Sequence, residues 1–130
     1  MTKNKNNTTS VVIIFFTIVF FITGCFILTY RETNQVNFER VSFYTQDSPP
    51  VRIQSYYSPT DDFSKIKEHA KTVEWDEGGI THVFYFDDRE YTPDIDHLGI
   101  RFAQKYEEHC IASFRKMTNG QTEFEKYPFR

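Results

Sequence analysis

Residues 87–97 read Asp-Asp-Arg-Glu-Tyr-Thr-Pro-Asp-Ile-Asp-His. Asp87, Asp88, Glu90, Asp94 and Asp96 crowd five carboxylates together, offset only by Arg89, with His97 at the end. Such a cluster repels itself unless a cation or a basic partner neutralises it. It follows a strongly apolar run, and polar loops fixed by a rigid strand are where binding residues concentrate. Asp87, Asp88, Arg89, Glu90, Asp94, Asp96 and His97 are therefore the candidate binding residues. Oxygen ligands for calcium are present, but neither the spacing of an EF-hand loop nor its glycine is. The four histidines, at 69, 82, 97 and 109, are too dispersed for a zinc set. No Gly-rich phosphate loop, Cys-x-x-Cys or His-Glu-x-x-His occurs. The reading is of no catalytic set, no metal site and no cofactor. A small hydrolase or a ligand- or metal-binding domain built on Asp87, Asp88, His82 and His97 is the alternative to an interaction surface.

Of the two cysteines, Cys110 opens an apolar stretch and reads as a small buried hydrophobe. Its neighbour His109 would point to the opposite face of a strand, so no Cys-His pair is expected. Cys25 lies in a different setting. Val11 to Tyr30 contains no charge, follows Lys3 and Lys5, and ends at Arg31. Twenty such residues as a helix span about 30 Å, the thickness of the hydrocarbon core. The lysines place the N-terminus in the cytoplasm and the remainder outside.

Ile22-Thr23-Gly24-Cys25 resembles the lipobox of bacterial lipoproteins, and a basic segment with an apolar stretch before it fits a signal peptide. The resemblance implies lipid attachment at Cys25, which would become the mature N-terminus. Phe26-Ile27-Leu28 prolong the apolar run, and an uncleaved single-pass transmembrane helix accounts for that extension. Both readings tether the chain to a membrane of the cell envelope, with the domain periplasmic or at the cell surface. Cys25 then cannot reach Cys110, so no intramolecular disulfide is expected.

All eighteen acids and thirteen of the fifteen Lys and Arg follow residue 30, a net charge of −5 with both signs interspersed. No basic stripe exists, which argues against nucleic acid as a partner. A protein partner is the expectation: an envelope accessory or immunity-type module.

The elements that position these residues read as follows. Residues 1–30 are the anchor or signal segment and 31–50 a tether, whose apolar pulse Val41-Ser42-Phe43-Tyr44 would make an edge strand. Ser48-Pro49-Pro50 is an extended break. Residues 51–130 form one small α+β domain. Val51 to Tyr57 alternates as a half-buried strand. Ser58 and Pro59 start a helix whose stripe is Phe63, Ile66, Ala70 and Val73. Gly78-Gly79 breaks the chain, and Ile80 to Phe86, apolar on both faces, belongs in the sheet interior under the helix. Residues 95–108 fit a second helix or an irregular segment plugged by Phe102 and Tyr106. Asn119-Gly120 predicts a two-residue type I′ hairpin, pairing Lys116 with Glu123 and leaving Phe114 opposite Glu125. The fold expected is a small mixed or antiparallel sheet with one main helix packed on it and a C-terminal hairpin.

Overall fold

The computed structural model describes residues 13–19, 35–75, 78–96 and 102–130. Two compact units divide the chain, Met1–Gln35 and Val36–Arg130. In the first, residues 13–19 are helical. Among the described residues no helix is long and apolar enough to cross a membrane. The rest of the charge-free run, Cys25 included, lies outside the described residues, as does His97.

The second unit is α+β, a mixed five-stranded sheet with short helices. The order is β1 (Glu39–Asp47), β2 (Pro50–Tyr57), α1 (Phe63–Thr72), β3 (Ile80–Phe86), α2 (Gln104–Glu107), β4 (Cys110–Lys116), β5 (Thr122–Lys126). The strands lie side by side in sequence order. Only β2 and β3 are parallel, as a helical crossover requires; the other neighbours are antiparallel.

The central strand β3 dictates the layers. Thr81, Val83 and Tyr85 face α1, where Ile66 and Ala70 meet Tyr56, Ala112 and Phe114 in one cluster. Phe84 and Phe86 face the other way, into a second cluster with Val51, Ile53, Ile95 and Cys110. That side is covered by irregular chain. Ile95 is buried, Phe102 packs from the chain just before α2, and Tyr106 packs from α2 itself, which is a single turn. The irregular reading of 95–108 is the one seen among its described residues. With cover on both sides, β2 is buried on both faces and not half-buried as its alternation suggests.

Three local expectations are corrected. The helix begins at Phe63, capped by Asp62, whose carboxylate accepts from Ser64 N at 3.0 Å. Ser58 instead donates its hydroxyl to Thr60 O, and its backbone N–H bonds Phe86 O at the end of β3. The edge strand expected at Val41 to Tyr44 is present but longer, since β1 is nine residues long and takes in neighbours read as tether. Ser48 and Pro49, joined by a cis peptide bond, make the tight turn into β2 where an extended break was expected.

The hairpin register is the third. Gly120 has φ +81°, but among the described residues Tyr127 is the only non-glycine at positive φ, so Asn119 does not adopt the type I′ conformation. Gly120 N bonds Met117 O, and Met117 N bonds Gln121 O, giving a longer loop closed by glycine. The register moves by one residue. Phe114 now faces Phe124, Lys116 faces Thr122, and Arg115 faces Glu123. The mismatch of Phe114 with Glu125 disappears. A second irregularity, between Tyr85 and Phe86, admits Ile111 as an extra residue in β4.

Gly120→Ala should lower stability by about 1–2 kcal/mol, the cost of a left-handed L-residue. Phe114→Ala, at 1 % exposure, should cost about 3–5 kcal/mol. Urea unfolding of both variants measures each.

Candidate functional site

The acidic loop is fastened rather than free. Asp87 N bonds His109 O, and Asp87 Oδ1 accepts from His109 Nδ1 at 2.8 Å. The His109 ring stacks on Tyr91, centroids 4.4 Å apart and planes 6° off parallel. Asp88 closes its own turn, its carboxylate accepting from Glu90 N and its carbonyl from Thr92 Oγ1, both at 2.8 Å. Arg89 grips Glu39 of β1 as a fork, Nε to both carboxylate oxygens at 2.9 and 2.8 Å and one terminal nitrogen at 2.6 Å. That guanidinium holds the Glu39 carboxyl below the usual range. Ser55 Oγ donates to Pro93 O at 2.7 Å and shares a hydrogen bond with Ser42 Oγ, so the loop is stitched through the sheet face. Glu90, Asp94 and Asp96 remain exposed.

The candidate residues therefore divide. Asp87, Asp88 and Arg89 serve the loop's own structure, while Glu90 and Asp94 offer carboxylates to solvent. His82 lies five positions before Asp87 on an extended strand, about 16 Å away. The described members of the hydrolase set thus do not converge. Among the described residues no three His, Cys, Asp or Glu side chains are grouped to hold a metal ion. Cys110 is fully buried, and burial pushes its thiol up to about 12, so it packs and does not react.

The structure assembles a site that the sequence reading missed. On the face away from α1, cross-strand register lines up His82, Arg115 and Glu123 in one row and Phe84, Ser113 and Glu125 in the next. With Pro128 and Phe129 as a wall they line a groove of about 220 Å³. Arg115 and Glu123 are paired at 2.5 Å. Phe129 stacks over Phe84 at 6.4 Å, and the His82 ring tilts against Phe84 at 4.1 Å. Burial, with the charge of Arg115 behind it and Glu123 opposing, brings His82 down to about 4. A base so weak is poorly matched to proton abstraction near neutrality. The groove suits binding of a small polar or cationic group by neutral imidazole, aromatic wall and carboxylates. Only the correct hairpin register would have revealed it from sequence.

A third surface lies on the α1 face at the β1 edge. The Arg52 guanidinium sits between the rings of Trp75 (4.8 Å) and Phe43 (5.3 Å), and Arg40 approaches Phe43 at 5.1 Å. Trp75 packs over Gly79, where any Cβ would fall inside the indole ring.

Thermal unfolding separates the roles of the loop acids. Asp87→Asn and Asp88→Asn should each lose about 0.5–1.5 kcal/mol, and Glu90→Gln should leave the melting temperature unchanged. His82 makes a pH prediction. Its folded pKa of about 4 lies below the 6.5 of the free side chain. Below pH 6.5 the unfolded chain takes up a proton that the folded chain refuses. The stability this group contributes is full above pH 6.5 and falls as pH drops toward 4. The total is about 3 kcal/mol, and His82→Gln should remove that part of the slope in denaturant titrations across the range.

Searches against protein-family models, curated proteins and solved structures find no match to this chain.

Proposed function

We propose that the chain is a membrane-tethered interaction module, its α+β domain held on the non-cytoplasmic side and presented to a protein partner in the cell envelope, as an accessory or immunity-type protein. The observation that carries this reading is the charge-free run Val11 to Tyr30 between Lys3, Lys5 and Arg31. Its described part supports it. Ile13, Ile14, Phe15, Phe16, Ile18 and Val19 all rank as exposed large hydrophobics, Phe15 at 71 %. A helix apolar all round needs a lipid or protein environment. The one hydroxyl among them, Thr17, bonds back to Ile13 O at 2.7 Å, the way a polar group is satisfied in an apolar setting. The tether is either lipidated Cys25 or an uncleaved helix. For partner contact, the exposed Glu90 and Asp94 on a pinned loop offer fixed negative charge to a basic surface.

A second reading, a ligand-binding domain, is favoured by the His82 groove rather than by residues 87–97. Its occupant would be small, because about 220 Å³ falls below the common range for drug-sized ligands.

Metabolic labelling with a fatty-acid analogue tests the tether. If Cys25 is lipidated, Cys25→Ser abolishes labelling and leaves a longer precursor on gels. A wild-type chain with no label and unchanged migration leaves the uncleaved helix. Affinity isolation of the detergent-solubilised full chain from an envelope extract tests the module. A partner should be recovered, more strongly at low salt, and weakened by Glu90→Gln with Asp94→Asn. Repeated recovery of nothing would count against the reading.

A further inference from the structure

The two ends of the sheet are unlike. β5 is five residues long and alternates Glu123 and Glu125 with Lys126 nearby, a charged edge of the kind that discourages strand pairing. β1 is the longer edge strand, and from Ser42 to Gln46 it carries no charge. Among the described residues only β2 pairs with it. Its irregularity falls near the start, between Arg40 and Ser42, and Ser42 to Asp47 keep a regular ladder on β2. Phe43 and Val41 stand 43 % and 36 % exposed along this edge.

Charge marks the same place. Arg89, Arg115 and Lys116 each have a carboxylate partner. Like Lys65, Lys67, Lys71 and Arg130, Arg40 and Arg52 have none among the described residues, and what distinguishes these two is their place at the open edge. Both lie on the Phe43 ring, and Arg52 is held rigid between Phe43 and Trp75. Arg52 Nε is buried with no acceptor, the one such side-chain atom among the described residues. A buried donor without a partner is costly and calls for an explanation. The terminal nitrogens of the same guanidinium are not among the buried atoms, and they are where an acceptor brought by a ligand can reach it.

We infer that the open edge of β1, with Arg40, Arg52 and Phe43, is a docking strip for an extended acidic segment of a partner protein. The segment adds as a sixth strand through main-chain hydrogen bonds, as edge-binding peptides do. Its side chains alternate, so acids at every second position fall on the α1 face and meet the two guanidiniums. This deepens the interaction-module reading and rests on it, while using a surface separate from the acidic loop.

Trp75 is the only tryptophan in the chain, so its emission reports on the site. The full chain in detergent is titrated with a peptide of alternating valine and aspartate. A saturable shift in Trp75 emission is expected. It should be absent with the valine–lysine counterpart and with a fully N-methylated valine–aspartate peptide. Arg40→Gln with Arg52→Gln should raise the dissociation constant at least about tenfold. No shift, or binding by the N-methylated or lysine peptide, would overturn the inference. So would equal affinity in the double variant with an unchanged circular dichroism spectrum. If that variant unfolds, the peptide comparisons decide alone. A shift produced by inorganic phosphate or phosphatidylglycerol vesicles but not by the peptide identifies an anionic headgroup site and also overturns it. An isolated partner whose recovery is unchanged by the double variant overturns this edge and leaves the module standing.

Discussion

The burial of β3 on both faces is the constraint from which the rest of the domain follows. Phe84 and Phe86 point one way, Val83 and Tyr85 the other, and all four are nearly or wholly removed from water. Each apolar face must be roofed. The α1 crossover roofs one because parallel pairing of β2 with β3 leaves room for a helix there. The other is roofed by chain without regular structure, so its polar backbone needs partners from outside itself. The Ser55 hydroxyl supplies one to Pro93 O and the Asp88 carboxylate another to Glu90 N, while Asp87 with His109 and Arg89 with Glu39 tie the loop to neighbouring segments through side chains. Polar residues in this loop therefore have a structural reason to be there, and the acidity that looks like a binding signal is partly the fastening of a roof.

That division explains what the sequence could and could not say. Ile80 to Phe86 declares itself through an unbroken apolar run, and α1 through the spacing of Phe63, Ile66, Ala70 and Val73; both are local patterns. β1 shows only its middle, the pulse Val41 to Tyr44, because an exposed edge strand does not need to alternate, and Glu39, Arg40, Thr45 and Asp47 read as tether. The helix start slips from Ser58 to Asp62: both can cap, but the Ser58 hydroxyl donates to Thr60 O while the Asp62 carboxylate accepts from Ser64 N. Asn-Gly fits more than one hairpin loop, and the preference of Phe114 for Phe124 over Glu125 selects the longer one. The His82 groove was invisible for the same reason. Its side chains share nothing in sequence and meet only as rows across three strands.

Histidines show how far context outweighs residue type. His82 is sunk beside Arg115 and Phe84 and stays neutral. His69 is likewise lowered by burial, with Phe38 stacked on it at 4.3 Å and the Tyr85 hydroxyl bonded to its Nδ1. His109 instead lies half-exposed against Tyr91, held by Asp87. Three similar letters thus become a groove wall, a core polar contact and a loop clasp.

The Glu39–Arg89 fork has a mechanical side. Any tension arriving along the chain from residue 35 enters the sheet at Glu39, the first residue of β1. Glu39 pairs with Tyr57 at that end of the hairpin. Pulled there, an antiparallel edge strand comes away like a zip, one hydrogen bond at a time, the weakest way to strain a sheet. The two-pronged grip of Arg89 sits on the first tooth. It ties the entering strand to the loop beyond β3, so the pull is shared with the roof of the core before the first bond of β1 can open.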